Sequence, residues 1–152
     1  MSRAQFLQAL KSTLDKQGYD LAVAQSPDIL YVDLDDPIQS TELFKGESSA
    51  IVLGSLVLHE DPRDPLYSFS FQMGARTVTD ASNYSILSLS GQVNVLFEKG
   101  KRVSVYQYAT VGAVGAAVGF MFITDVSVDD QMFERMSGIR LLTIQGKAVR
   151  FN

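Results

Sequence analysis

The chain has no cysteine and a single histidine. The first absence excludes disulfides, thiolate metal sites and cysteine nucleophiles. The second removes every metal motif built on two histidines and leaves a Ser-His-Asp triad only His59 as its centre. Serine is plentiful but never occurs in Gly-x-Ser-x-Gly, so a serine hydrolase has no nucleophile motif to stand on. Basic charge is scarce as well: 13 Lys and Arg stand against 17 Asp and Glu. The resulting net charge of −4 argues against a nucleic-acid partner and against anionic membrane surfaces. There is no internal repeat, low-complexity tract or Pro/Ser-rich linker, so residues 1–152 read as one domain. Gln8, Lys11 and Asp15 interrupt the apolar residues near Met1, which is not the pattern of a signal peptide, and the expected compartment is the cytoplasm.

What is present reads as α+β. Ser2 and Gln5 form a capping box. Phe6, Leu7, Leu10 and Leu14 then recur at helical spacing, which predicts an amphipathic helix over Ser2–Gln17 that Gly18 closes. From Ile29 the period changes to two. Ile29–Leu34 alternates between Pro27 and Pro37. Ser48–His59 is apolar on both faces and reads as a central strand, and Leu66–Met73 sets Tyr67, Phe69, Phe71 and Met73 on one face. Val93–Phe97 and Arg102–Tyr108 flank Glu98-Lys99-Gly100-Lys101 as a hairpin. Ser127, Asp129 and Asp130 cap a short helix over Val128–Ser137, and Ile139–Ile144 and Ala148–Phe151 form a last hairpin across Gln145-Gly146. The expectation is a mainly antiparallel sheet with an N-terminal amphipathic helix and a short C-terminal helix between strands.

Three stretches are candidates for function. No charge occurs from Val103 to Thr124, and Gly112, Gly115 and Gly119 punctuate Ala109–Gly119. With strands on both sides, the small-residue stretch is roughly ten residues, half of what a membrane-spanning helix requires, and reads as a connector. Its glycines match neither phosphate-binding pattern. Tyr106 and Tyr108 share a strand face with Ser104, and a tyrosine pair beside a small-residue surface suits a protein interface. Tyr106, Tyr108, Gly112, Gly115 and Gly119 are therefore the candidate contacts for a partner, either another protein or a second copy of the chain. The second stretch is His59-Glu60-Asp61-Pro62-Arg63-Asp64-Pro65, where His59, Glu60, Asp61 and Asp64 are candidate ligands for a divalent cation. The third is Asp33, Asp35 and Asp36. A meeting with the His59 loop would supply paired carboxylates for hydrolysis; otherwise Asp33 is an outward charge on an edge strand. Pro27-Asp28 with Glu42 and Lys45 has one residue too many for a nuclease core. No motif calls for a cofactor. The expected function is a non-catalytic binding or interaction module. The alternatives are a small-molecule or lipid pocket between the first helix and the sheet, and a metal-dependent hydrolase using the His59–Asp64 loop.

Overall fold

The computed structural model describes residues 2–25, 29–46, 49–60, 63, 66–76, 84–110, 113–129 and 139–151. Along them lie helix α1 (Arg3–Gln25), strand β1 (Leu30–Asp33), helix α2 (Pro37–Lys45), strands β2 (Ala50–Glu60) and β3 (Tyr67–Arg76) and helix α3 (Tyr84–Leu96). Strands β4 (Arg102–Thr110), β5 (Ala113–Asp129) and β6 (Ile139–Arg150) complete them. The strands form one six-stranded sheet in the order β1-β2-β3-β6-β5-β4. Every neighbouring pair is antiparallel except β1 with β2, which run parallel and are connected through α2. The α+β class with a mainly antiparallel sheet is as expected.

Phe6, Ala9, Leu10, Thr13, Leu14, Gly18 and Ala22 form the buried stripe of α1, spaced three and four residues apart as one face of a helix requires. Removing Phe6, Leu10 and Leu14 from water contributes about 1.5–3 kcal/mol each. The helix packs against β4 at one end of the sheet and against β2 and β1 at the other, so the sheet curls around it. Adjacent residues of one strand then feed different cores. Ile51 and Leu53 join the cluster under α1 and α3, whereas Ala50 and Val52 join a smaller one with Val32, Leu43, Ile139 and Leu141 on the opposite face, where α2 lies. The aromatic face of β3 belongs to the larger core. Tyr67 stacks on Phe6 at 5.3 Å between ring centroids, and Phe71 meets Phe97 edge-on at 5.3 Å.

Several elements differ from expectation, each for an identifiable reason. Helix α1 does not stop at Gly18 but runs on to Gln25. Gly18 is helical and buried; its missing side chain makes room for Tyr31, whose Cε2 would stand 2.3 Å from a Cβ there. Pro37 does not merely end a strand. It opens α2, with Asp36 as N-cap accepting from the backbone N–H groups of Ile38 and Gln39. Val93–Phe97 is not a strand: Val93 to Leu96 close α3, Tyr84 opens it, and β4 pairs with β5 instead. Val93 and Phe97 are both fully buried while Val95 is 60% exposed. In so short a window, the i, i+4 spacing of Val93 and Phe97 on a helix face is easily mistaken for the alternation of a strand through Val93, Val95 and Phe97.

The small-residue stretch is no connector. β4 continues to Thr110 and β5 begins at Ala113, so the stretch is strand on both sides. The final hairpin is also replaced, by one continuous strand β6. Gly146, expected at a turn, pairs with both Phe69 and Ile123, and a Cβ on it would stand 2.4 Å from the Phe69 ring. Of the expected C-terminal helix, Val128 and Asp129 end β5, and residues 130–138 lie outside the described residues.

Gly18→Ala tests the packing reading of α1. Helix propensity alone favours alanine by about 1 kcal/mol, but the methyl group collides with the Tyr31 ring. The expected outcome in urea denaturation is a net destabilisation of about 1–3 kcal/mol. A gain in stability would show that Tyr31 yields without cost.

Candidate functional site

His59 and Glu60 are the last residues of β2, where they pair with Ser68 and Tyr67, and both are exposed. Glu60 meets Arg3 of α1 at 3.6 Å, and the Arg3 guanidinium also donates to the Leu58 carbonyl at 2.6 Å. Asp61 and Asp64 lie outside the described residues. Among the described residues, no three His, Asp or Glu side chains converge in a way that could hold a cation.

The carboxylates of Asp33, Asp35 and Asp36 have separate structural tasks. Asp36 caps α2. Asp35 accepts the Ser55 N–H on both oxygens, at 3.0 and 2.9 Å. That bond holds an irregularity in β2 between Gly54 and Val57, where Ser55 has φ 54°, a left-handed conformation unusual for a residue with a Cβ. Asp33 stands on an edge strand as expected, yet its side chain is 21% exposed rather than outward, because Lys11 of α1 reaches it at 2.8 Å. The loop after β1 is thus tied to Ser55, four residues short of His59 along an extended strand.

Lys11 is the centre of a polar network between α1 and β1. Its ammonium donates to Asp15 at 2.8 and 3.0 Å and to Asp33 at 2.8 Å, and the Tyr31 hydroxyl donates to Asp15 at 2.5 Å. Burial by itself lowers the Lys11 pKa, but the hydrogen bonds and charges of Asp15 and Asp33 outweigh it and hold the ammonium above its usual value. Burial raises the Tyr31 pKa, and the Asp15 hydrogen bond and the nearby negative charges raise it further. These groups hold their protons tightly and brace the fold. Neither Lys11 nor Tyr31 is poised to exchange a proton near neutral pH.

The candidate interface residues separate. Tyr106 is half-buried, and its backbone N–H turns away from β5 to donate to Thr13 Oγ1 at 3.1 Å. Thr13 is 3% exposed, and its hydroxyl donates a hydrogen bond to the Ala9 carbonyl at 2.9 Å. Tyr108 continues β4 opposite Val114, and Gly112 lies outside the described residues. Gly115 is exposed, whereas Gly119 is buried beneath α1. A Cβ on Gly119 would stand 2.1 Å from the Val149 oxygen and 2.9 Å from the Phe6 ring. The close approach that this glycine permits is therefore made by Phe6 and β6 of the same chain.

A groove of about 440 Å³ opens where α1, the end of α3 and β4 meet. Thr13, Lys16, Gln17, Asp20 and Leu21 line it from α1, Leu96 from α3 and Tyr106 from β4. Thr13, Gln17 and Leu21 are four residues apart and form one row of the helix; Lys16 and Asp20 form the next row out. That outer row is an ion pair at 2.7 Å with side chains 42% and 57% exposed. Of these residues only Tyr106 was a candidate from sequence. The one available signal was Thr13, a hydroxyl within an otherwise apolar stripe, which needs a partner across the interface. No helix among the described residues is long and apolar enough to cross a membrane. Compared with known proteins, the chain matches no family model and no curated protein.

The polar network sets an alkaline limit on stability. Lys11 and Tyr31 both have raised folded-state pKa values, so their stabilisation is whole below about pH 10 and is lost as the pH rises through those values. Tyr31→Phe keeps the ring and removes one of the two titrations. At neutral pH the variant should be about 1–2 kcal/mol less stable. Above about pH 10 the wild-type stability should fall more steeply than the variant's, by up to about 1.4 kcal/mol per pH unit. Urea midpoints across that range check this, and parallel curves would refute it.

Proposed function

We propose that the chain is a non-catalytic binding protein that takes a small ligand in the groove between α1 and β4. The observation that carries this reading is the groove itself, about 440 Å³ with Leu21, Leu96 and Tyr106 beside a charged and amide rim. Its size falls within the range of small-molecule sites, and apolar walls with a few polar groups are their usual lining. The structural engagement of Asp33, Asp35 and Asp36 supports a non-catalytic role, since their oxygens are committed to Lys11, the Ser55 N–H and the N-terminus of α2. A buried amphipathic dye, 8-anilinonaphthalene-1-sulfonate, serves as the probe. The folded chain should bind one equivalent, and Tyr106→Ser should weaken binding about 5–10-fold by removing an aromatic wall. Val57→Ser, at an exposed position on β2, should leave it unchanged. Equal binding by all three chains would remove the groove from the account.

A second reading, self-association, is supported by the end of the sheet. β4 is an edge strand, and its neighbour β5 exposes Ala116 and Ala117, small side chains that allow another chain to approach; the room left by Gly115 is taken by the Gln107 carbonyl of β4. A two-fold dimer formed here should sediment with twice the subunit mass at tens of micromolar, about the range of weak dimers. Ala116→Arg should return it to one subunit without loss of helix or strand signal. A wild-type mass of one subunit would end this reading.

A further inference from the structure

We infer that the groove takes a free α-amino acid with an apolar side chain, an assignment that rests on the groove being a ligand site. Leu21, Leu96 and Tyr106 offer apolar surface, and the Lys16 ammonium and the Asp20 carboxylate lie together on the rim at 2.7 Å. A polyphosphate does not suit this lining, because Lys16, the one cation that lines the groove among the described residues, is already paired with Asp20. A lone anion such as a fatty acid would gain Lys16 but meet the charge of Asp20 beside it. A lone amine faces the mirror-image conflict with Lys16.

A ligand that carries both charges avoids either conflict, since its carboxylate faces Lys16 and its ammonium faces Asp20. The two rim charges are so close that the ligand's own charges must also be close. An α-amino acid has them on one carbon, whereas the termini of a longer peptide are separated by its backbone. Opening the rim costs little, because water screens an ion pair whose side chains are this exposed. Gln17, next to Lys16 on the inner row, adds an amide donor and acceptor. The volume accommodates side chains as large as leucine or phenylalanine.

Calorimetric titration of the purified chain with L-phenylalanine, 2-phenylethylamine and 3-phenylpropionate isolates each charge on a constant apolar body. L-Phenylalanine should bind about 3–10-fold more tightly than either analogue. Asp20→Asn should weaken L-phenylalanine by a similar factor while leaving 3-phenylpropionate no weaker, and Lys16→Gln should do the reverse for the amine. Both side chains are well exposed, so unchanged melting temperatures are expected to accompany these effects. Equal affinities for the three compounds, or a preference for one of the singly charged ones, would overturn the amino-acid assignment and leave the groove as a site for another ligand. Failure of all three, together with failure of the anilinonaphthalene dye to bind, would overturn both.

Discussion

A six-stranded open sheet has two edges, and here one helix is fastened to both ends of the sheet. At the β4 end, Thr13 accepts the backbone N–H of Tyr106. At the other end, Arg3 donates to the Leu58 carbonyl on β2 and Lys11 is paired with Asp33 on β1. Between these attachments Phe6, Leu10 and Leu14 fill the hollow of the curled sheet. Their burial is of the same order as the whole stability of a typical domain, about 5–15 kcal/mol. The remaining architecture depends on this seating. Gly119 lacks a side chain where Phe6 meets β5, and Gly18 lacks one where Tyr31 crosses the helix.

Fastening also limits how the edges can be used. Exposed strand edges invite pairing with other chains, and proteins commonly blunt them. The short β1 covers β2 only from Ala50 to Leu53. Past that point Asp35 occupies the Ser55 N–H and Arg3 the Leu58 oxygen, so side chains take over from the missing strand. The acidic residues that suggest chemistry in the sequence are largely consumed in this way. On the far face of the sheet, Arg76 of β3 plays a comparable part, donating to the carbonyls of Leu43 and Gly46 at the C-terminal end of α2, where a cation complements the helix dipole. The groove is left where these contacts stop. Thr13 to Leu21 of α1 form one side of it, and Leu96 and Tyr106 the other.

Much of this was legible in the chain itself. The stripe of Phe6, Leu10 and Leu14, the two-sided apolar run of β2 and the alternation of β3 identify an α+β fold, because burial imposes its period on the residues wherever a segment is long enough to show one. The absence of cysteine and the lone His59 restricted the chemistry without reference to any fold. Tertiary structure decided the rest. Whether a glycine ends a helix or admits a neighbour depends on what packs against it, and for Gly18 and Gly146 that neighbour is an aromatic ring from a distant segment. Whether Val93, Val95 and Phe97 form a strand or a helix depends on which of them meets the core, since five residues fit both periods. The carboxylates of Asp33, Asp35 and Asp36 read as chemistry until Lys11, Ser55 and the N-terminus of α2 were seen to engage them. The groove of Thr13, Lys16, Asp20, Leu96 and Tyr106 has no sequence pattern, because its two sides lie some ninety positions apart and only the curl of the sheet around α1 brings them together.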